Sequence, residues 1–202
     1  SGARMAAPDL EERAGHVEDL RKYIDLAADL GCEMVRVFGG PRDRGEELIA
    51  TVDYVADGFV QVLDHAADRD VLLLLETHDD WCASAPVRAV VEQVGHPNLK
   101  VLWDFMHSQR MLEKPEESFQ ILGEYTHHTH AHDGEIVDGK LQVSGTLGSG
   151  FFDHEIPLRL LSEAGYSGYF SVEVIHKPGS EHNADAVLAQ YAKQFQVIMA
   201  GF

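Results

Sequence analysis

Four stretches of this 202-residue chain end in side chains able to hold a metal ion or move a proton. "VLLLLETHDD" (71–80) runs through five apolar residues and turns ionic at Glu76, with His78 two positions on. "KVLWDFMH" (100–107) delivers Asp104 and then His107. "YTHHTHAHD" (125–133) carries His130, His132 and Asp133, and "GYFSVEV" (168–174) brings Glu173. A carboxylate after a single strand usually solvates a loop or caps a helix, and a single strand histidine is usually a core residue. Four successive occurrences carry more weight, because independent accidents multiply. Two Glu, one Asp and one His form a mixed oxygen and nitrogen donor set. Such a set suits one hard or borderline divalent ion with open positions, Mn²⁺, Mg²⁺, Co²⁺ or Zn²⁺.

The elements that must position these groups are legible from periodicity. Unbroken apolar runs such as 71–75 read as strands buried on both faces, the state of strands in a parallel sheet covered by helices. Asp9 followed by Glu12 predicts a helix start. Val17, Leu20, Ile24, Ala27 and Leu30 recur at helical spacing, and Gly31 stands where a C-terminal glycine is favoured. "MVRVFGG" (34–40) reads as a strand. A long helix follows, with Leu48, Val52, Val55, Phe59, Val62 and Ala66 on one face. Ser84 is expected to cap a short helix closed by His96-Pro97, and Pro115 with Glu116 and Glu117 opens another. Residues 134–150 read as an irregular glycine-rich excursion, followed by helices near 156–164 and 184–200 around the strand at 168–174. The order is a helix, then five strands each followed by a helix. Right-handed crossovers then leave a doubly wound sheet or a barrel. In either, the C-terminal strand ends converge on one face, where sites are built. No stretch reads as a linker, so residues 1–202 are expected to form one domain.

Composition bounds the partners. The formal net charge of −18 argues against nucleic acid and anionic membrane. No stretch approaches the ~20 apolar residues of a membrane span. Cys32 and Cys82 form neither a disulfide framework nor a zinc-finger pattern, so a reducing cytoplasm is expected, with Cys32 a small core residue. The opening "SGARMAAPDL" reads as a chain caught midway.

"LLLETHD", "VLWDFMH", "HTHAHD", "GSG" and "GYFSVEV" together resemble the motif series of the xylose isomerase-like TIM barrels, the sugar phosphate isomerase/epimerase superfamily, from about Leu20 to the C-terminus. The resemblance implies an α/β fold of the (β/α) barrel type, with these five strands as strands four to eight and the first three lacking. It implies metal ligands at Glu76, Asp104, His130 and Glu173, with Glu76 and Glu173 doubling as the acid/base pair. His107 matches a histidine that contacts substrate in ketose epimerases of the family. His78, His132 and Lys177 face the same rim if the register holds, as further substrate-binding candidates. Two departures stand out. No arginine follows His130 within a few residues, where the epimerases carry one. The Asp-x-His pair of the three-zinc apurinic-site endonucleases is also absent.

The implied activity is metal-dependent isomerisation or epimerisation of a small polyhydroxy carbonyl compound through an enediolate. A metal-dependent dehydratase or lyase, and an inert truncated barrel, are the alternatives. Because five strands cannot close an eight-stranded cylinder, the strands at 34–38 and 168–174 are expected to have free edges. Self-association as a homodimer is expected to cover them.

Overall fold

The computed structural model describes residues 1–144, 146–174 and 183–202. It contains one parallel sheet in the order β1 (Met34–Val37), β2 (Leu72–Glu76), β3 (Leu99–Asp104), β4 (Thr126–Ala131) and β7 (Phe170–Val172). A separate antiparallel pair is formed by β5 (Asp133–Val137) and β6 (Lys140–Ser144). The helices are α1 (Leu10–Asp29), α2 (Leu48–Asp68), α3 (Ser84–Val94), α4 (Phe105–Arg110), α5 (Pro115–Leu122), α6 (Glu155–Glu163) and α7 (Ala184–Met199). The chain divides into two compact units, Ser1–Trp103 with Glu124–His127, and Asp104–Gly123 with His128–Phe202.

In the first unit the helix signals act as read. The Asp9 carboxylate accepts from the Glu12 amide at 2.8 Å, and Gly31 takes φ of 68° just past the end of α1. The apolar stripes of α1 and α2 bury Leu20, Ile24, Val55, Phe59 and Val62. That removes them from water at ~1.5–3 kcal/mol per large side chain. Ser84 is the first residue of α3 rather than its cap, and Gly95, with φ of 60°, ends that helix just before His96-Pro97. Cys32 is exposed, correcting the expectation of a core residue, because Gly31 has already turned the chain away from the helix.

β1, β2 and β3 pair in parallel, Arg36 opposite Leu74 and Glu76 opposite Leu102. With side chains alternating along a strand, Arg36, Leu74, Glu76 and Leu102 share one face. The expected free edge at β1 is corrected: Arg4 bridges Phe38 in parallel, and the Ala6 N–H donates to Gly39 O at 2.8 Å. Ala3, Met5 and Ala6 are buried in the process. Gly39 is required there, since a Cβ on it would lie 2.4 Å from the Trp81 ring.

The second unit holds the other surprise. Residues read as an irregular excursion contain the β5–β6 hairpin, which turns at Asp138-Gly139, both with positive φ (51° and 73°). An Asp-Gly pair between short strands is a strong hairpin signal, and here it outweighs the glycine content. Ala131, Leu147 and Tyr191 form a small core, with Phe170, Val172, Val174, Val187 and Ile198 packed around it.

Candidate metal centre

Asp104 ends β3 and begins α4. Its Oδ1 accepts from the backbone N–H groups of Met106 (3.0 Å) and His107 (3.2 Å), so the side chain caps the helix while wholly buried. That fixes the carboxylate and turns Oδ2 the other way, 2.7 Å from His132 Nε2 and 3.7 Å from His107 Nε2. The His107 and His132 rings lie 5.3 Å apart at 81°. On β4 and β7, His130 pairs with Ser171 and Ala131 with Val172. The Glu173 N–H donates to Ala131 O, carrying the register one residue further. His130 Nδ1 and Glu173 Oε2 thereby come within 3.1 Å. Asp104, His130 and Glu173 each offer a ligand atom within 4.8 Å of the others'.

Glu76 stands at the end of β2 in the first unit, wholly buried. Arg36 Nη1 donates to its Oε2 at 2.9 Å, and the same guanidinium lies 3.9 Å over the Phe38 ring. Sequence reading missed Arg36. Its signal is parity, since it shares a face with Glu76 once the β1–β2 register is known. The His78 ring packs at a 53° tilt against Phe38, centroids 4.7 Å apart, and pairs with Asp79 at 2.9 Å, next to it in the chain. Lys177 lies outside the described residues.

The electrostatics follow from burial. For His132 desolvation is the largest influence and pulls the pKa down, but the hydrogen-bonding and charge of Asp104 outweigh it, leaving the imidazole above its ordinary value. His154 goes the other way: burial holds its pKa below the ordinary value, with Asp133 the largest opposing influence. Asp133, which extends the β4 run, is fully occupied by backbone. Its oxygens accept from Gly134 (2.8 Å), Gly148 (2.9 Å) and Gly150 (2.9 Å), with Phe152 at 3.4 Å. A Cβ at Gly150 would lie 2.2 Å from Asp133 Oδ1, so "GSG" lets the loop wrap this carboxylate. Gln109 ties α4 to the end of that loop, accepting from the Asp153 N–H (2.8 Å) and donating to its carbonyl (2.6 Å).

The donor chemistry fits a divalent ion. Asp104, His130 and Glu173 supply two carboxylates and an imidazole, and the amides on Asp104 Oδ1 give the outer support that ligating carboxylates need.

The chain is 26% identical over 178 residues to a Mus musculus protein named "Putative hydroxypyruvate isomerase", covering 80% of this chain. It spans 60% of the length of that curated relative. Among solved structures, the IolI protein with a bound zinc atom superimposes with a TM-score of 0.86 at 18% identity, covering 98% of this chain and 74% of that one. The E. coli 3-keto-D-glucoside 4-epimerase YcjR gives 0.78 at 16% identity, covering 96% and 76%. A xylose isomerase domain protein from Planctomyces limnophilus gives 0.75 at 21% identity, covering 97% and 68%. At these identities the structural likeness is one of fold. The family model described as xylose isomerase-like TIM barrel matches residues 1–194. Strand order, motif series and that match lead to one conclusion: the chain belongs to the xylose isomerase-like TIM barrel family.

Proposed function

We propose that Glu76, Asp104, His130 and Glu173 hold one divalent metal ion. The activity served is isomerisation or epimerisation of a small polyhydroxy carbonyl compound, by proton transfer next to the carbonyl through an enediolate. The observation that carries this is the meeting of Asp104, His130 and Glu173 within ligand distance, around a carboxylate with no exposure. Glu76 enters by register. It lies opposite Leu102, two residues before Asp104 on the adjacent strand and on the same face.

A divalent ion so held supplies Lewis acidity toward a carbonyl and its neighbouring hydroxyl. The protein's part is positional and protonic. Glu173, beside His130, takes or returns the substrate's C–H proton, and Glu76 is the other member of the acid/base pair. Arg36 holds Glu76 in one orientation through its Nη1 contact, so that the carboxylate need not reorganise during transfer. The named functions of relatives, a hydroxypyruvate isomerase and a keto-glucoside epimerase, support this class of reaction.

The test is solvent deuterium incorporation. Metal-loaded protein incubated in D₂O with ketoses and hydroxy-oxo acids should wash deuterium into the carbon next to the carbonyl, and Glu173→Gln should abolish it. Metal-free protein that washes in deuterium at the same rate, or product formation without any wash-in, would overturn the reading.

A further inference from the structure

Arg36 carries more hydrogen-bonding capacity than its contact with Glu76 uses. We propose that its guanidinium binds a carboxylate of the substrate, which makes the substrate a short-chain hydroxy-oxo acid. Where that acid lies relative to the chemistry rests on the acid/base role given to Glu76 above; the anion site itself rests on residues of the first unit alone.

The strand register sets the level of the group. Val37 lies opposite Leu75, so the next pair along brings Phe38 opposite Glu76. Arg36 shares a face of β1 with Phe38 but starts two residues lower, opposite Leu74. Its guanidinium nevertheless lies 3.9 Å over the Phe38 ring, so the side chain rises along the strand to the C-terminal end, where Glu76 stands. Glu76 has no exposure there, while the Arg36 side chain is 33% exposed. One cation thus touches a buried carboxylate and stays open to solvent.

Holding Glu76 takes a single N–H, Nη1 to Oε2 at 2.9 Å, of the five that a guanidinium carries. Among the described residues the Arg36 side chain makes no other hydrogen bond or ion pair. A point charge such as an ammonium would serve Glu76 equally well. What Arg36 adds is a planar, weakly hydrated fork, whose paired N–H groups match the two oxygens of a carboxylate. Phe38 covers one face of that fork, which removes water from it and fixes its plane. A hydroxyl of a neutral sugar offers one oxygen and no charge, and leaves the fork half used.

Position narrows the anion further. The bound carboxylate and Glu76 share one guanidinium, so only the fork and two hydrogen bonds of ~2.8 Å separate them. An anionic group that near the residue moving a C–H proton stands one or two bonds from the reacting carbon. A phosphate at the far end of a ketose chain stands beyond that span.

The experiment uses glycerate, a hydroxy acid with no carbonyl to enolise, and glycerol as its neutral match. Mn²⁺-loaded protein is titrated with each by calorimetry, with bound metal counted by mass spectrometry. Wild type should bind glycerate at least ~10-fold more tightly than glycerol. Arg36→Lys keeps a charge beside Glu76 and loses the fork. It should weaken glycerate binding ~10–100-fold, with metal content and far-UV circular dichroism unchanged. Deuterium wash-in then compares hydroxypyruvate with neutral dihydroxyacetone. In Arg36→Lys the rate constant for the acid should fall at least ~10-fold further than that for the neutral ketose. Equal falls for both compounds, or glycerate binding unchanged in Arg36→Lys, overturn the anion site and leave Glu76 in its role. Arg36-dependent glycerate binding in a wild type that washes deuterium into no compound upholds the anion site and overturns the enediolate reading. An Arg36-dependent preference for dihydroxyacetone phosphate over hydroxypyruvate overturns the carboxylate assignment.

Discussion

Asp104 closes β3 and Asp133 opens β5 in the same unit, both wholly buried carboxylates, yet their oxygens have opposite fates. Every oxygen of Asp133 is taken by backbone N–H groups of a glycine-rich loop. Asp104 gives one oxygen to a helix N-terminus and turns the other to two imidazoles. Burial alone therefore does not mark a chemically active carboxylate. What marks it is whether its lone pairs face groups that carry protons or metals.

The largest expected effect breaks this comparison most directly. Asp133→Ala leaves three or four loop amides without their acceptor and should cost ~3 kcal/mol or more in urea unfolding of metal-free protein. Asp104→Asn keeps an acceptor for the α4 amides, so its cost should stay within ~1 kcal/mol. Adding metal at ~100 Kd should raise wild-type stability by ~2.7 kcal/mol and leave Asp104→Asn almost unmoved. Equal losses for the two variants, with equal responses to metal, would erase the distinction.

Turnover should separate the carboxylates just as sharply. On the proposed acid/base roles, Glu76→Gln and Glu173→Gln should each lower kcat by ~10²-fold or more with KM little changed. A variant at the position opposite in role, Asp133→Asn, should lose activity only in proportion to its lost folded fraction, read by circular dichroism. Near-full turnover in Glu173→Gln would move the acid/base role elsewhere.

How much of this was readable beforehand depends on the range of the interaction. The five strands and the meeting of Asp104, His130 and Glu173 were legible because apolar runs fix strands and parallel strands place their C-terminal ends on one side. The β5–β6 hairpin was hidden by a glycine-rich composition, although Asp138-Gly139 carried its turn signal. The pairing of Arg36 with Glu76 needs the strand register, 40 residues apart in sequence. Asp133 and Asp104 look alike in sequence, each an Asp at the end of a strand run. Only the return of Gly148 and Gly150, 15 and 17 residues on, tells them apart.

A smaller effect tests the support around Asp133. The Tyr191 hydroxyl accepts from the Asp133 N–H at 3.2 Å and donates to Ser144 O at 3.1 Å, joining the start of β5 to the end of β6. Tyr191→Phe should cost ~1–2 kcal/mol, with proteolytic nicking appearing in the hairpin before global unfolding. Burial pushes the Tyr191 hydroxyl up to about 12, so the unfolded chain ionises first as pH rises above 10.0. Stability should therefore fall between pH 10 and 12. In the Phe variant that alkaline loss should shrink, and an unchanged profile would exclude Tyr191 as its source.

His154 gives the finest reading of the two carboxylates because it senses both. Its Nδ1 lies 3.0 Å from Phe152 O, and its ring packs edge-on against Phe105 and Phe170. Burial lowers its pKa, while Asp133 is the stronger and Asp104 the weaker of the carboxylates raising it. The sign follows by linkage. The unfolded chain takes up the proton as pH falls through about 6.5, whereas the folded chain resists until a lower pH. Folding stability is therefore intact above that value and lost below it, an acid sensitivity that His154→Phe should reduce. Removing one negative charge should lower the folded pKa further, and Asp133→Asn should do so by more than Asp104→Asn. Imidazole NMR titration of the two folded variants reads the order directly. Asp104→Asn producing the larger shift would mean that Asp133, with its oxygens covered by amides, projects less charge onto its neighbours than the carboxylate kept for ligands.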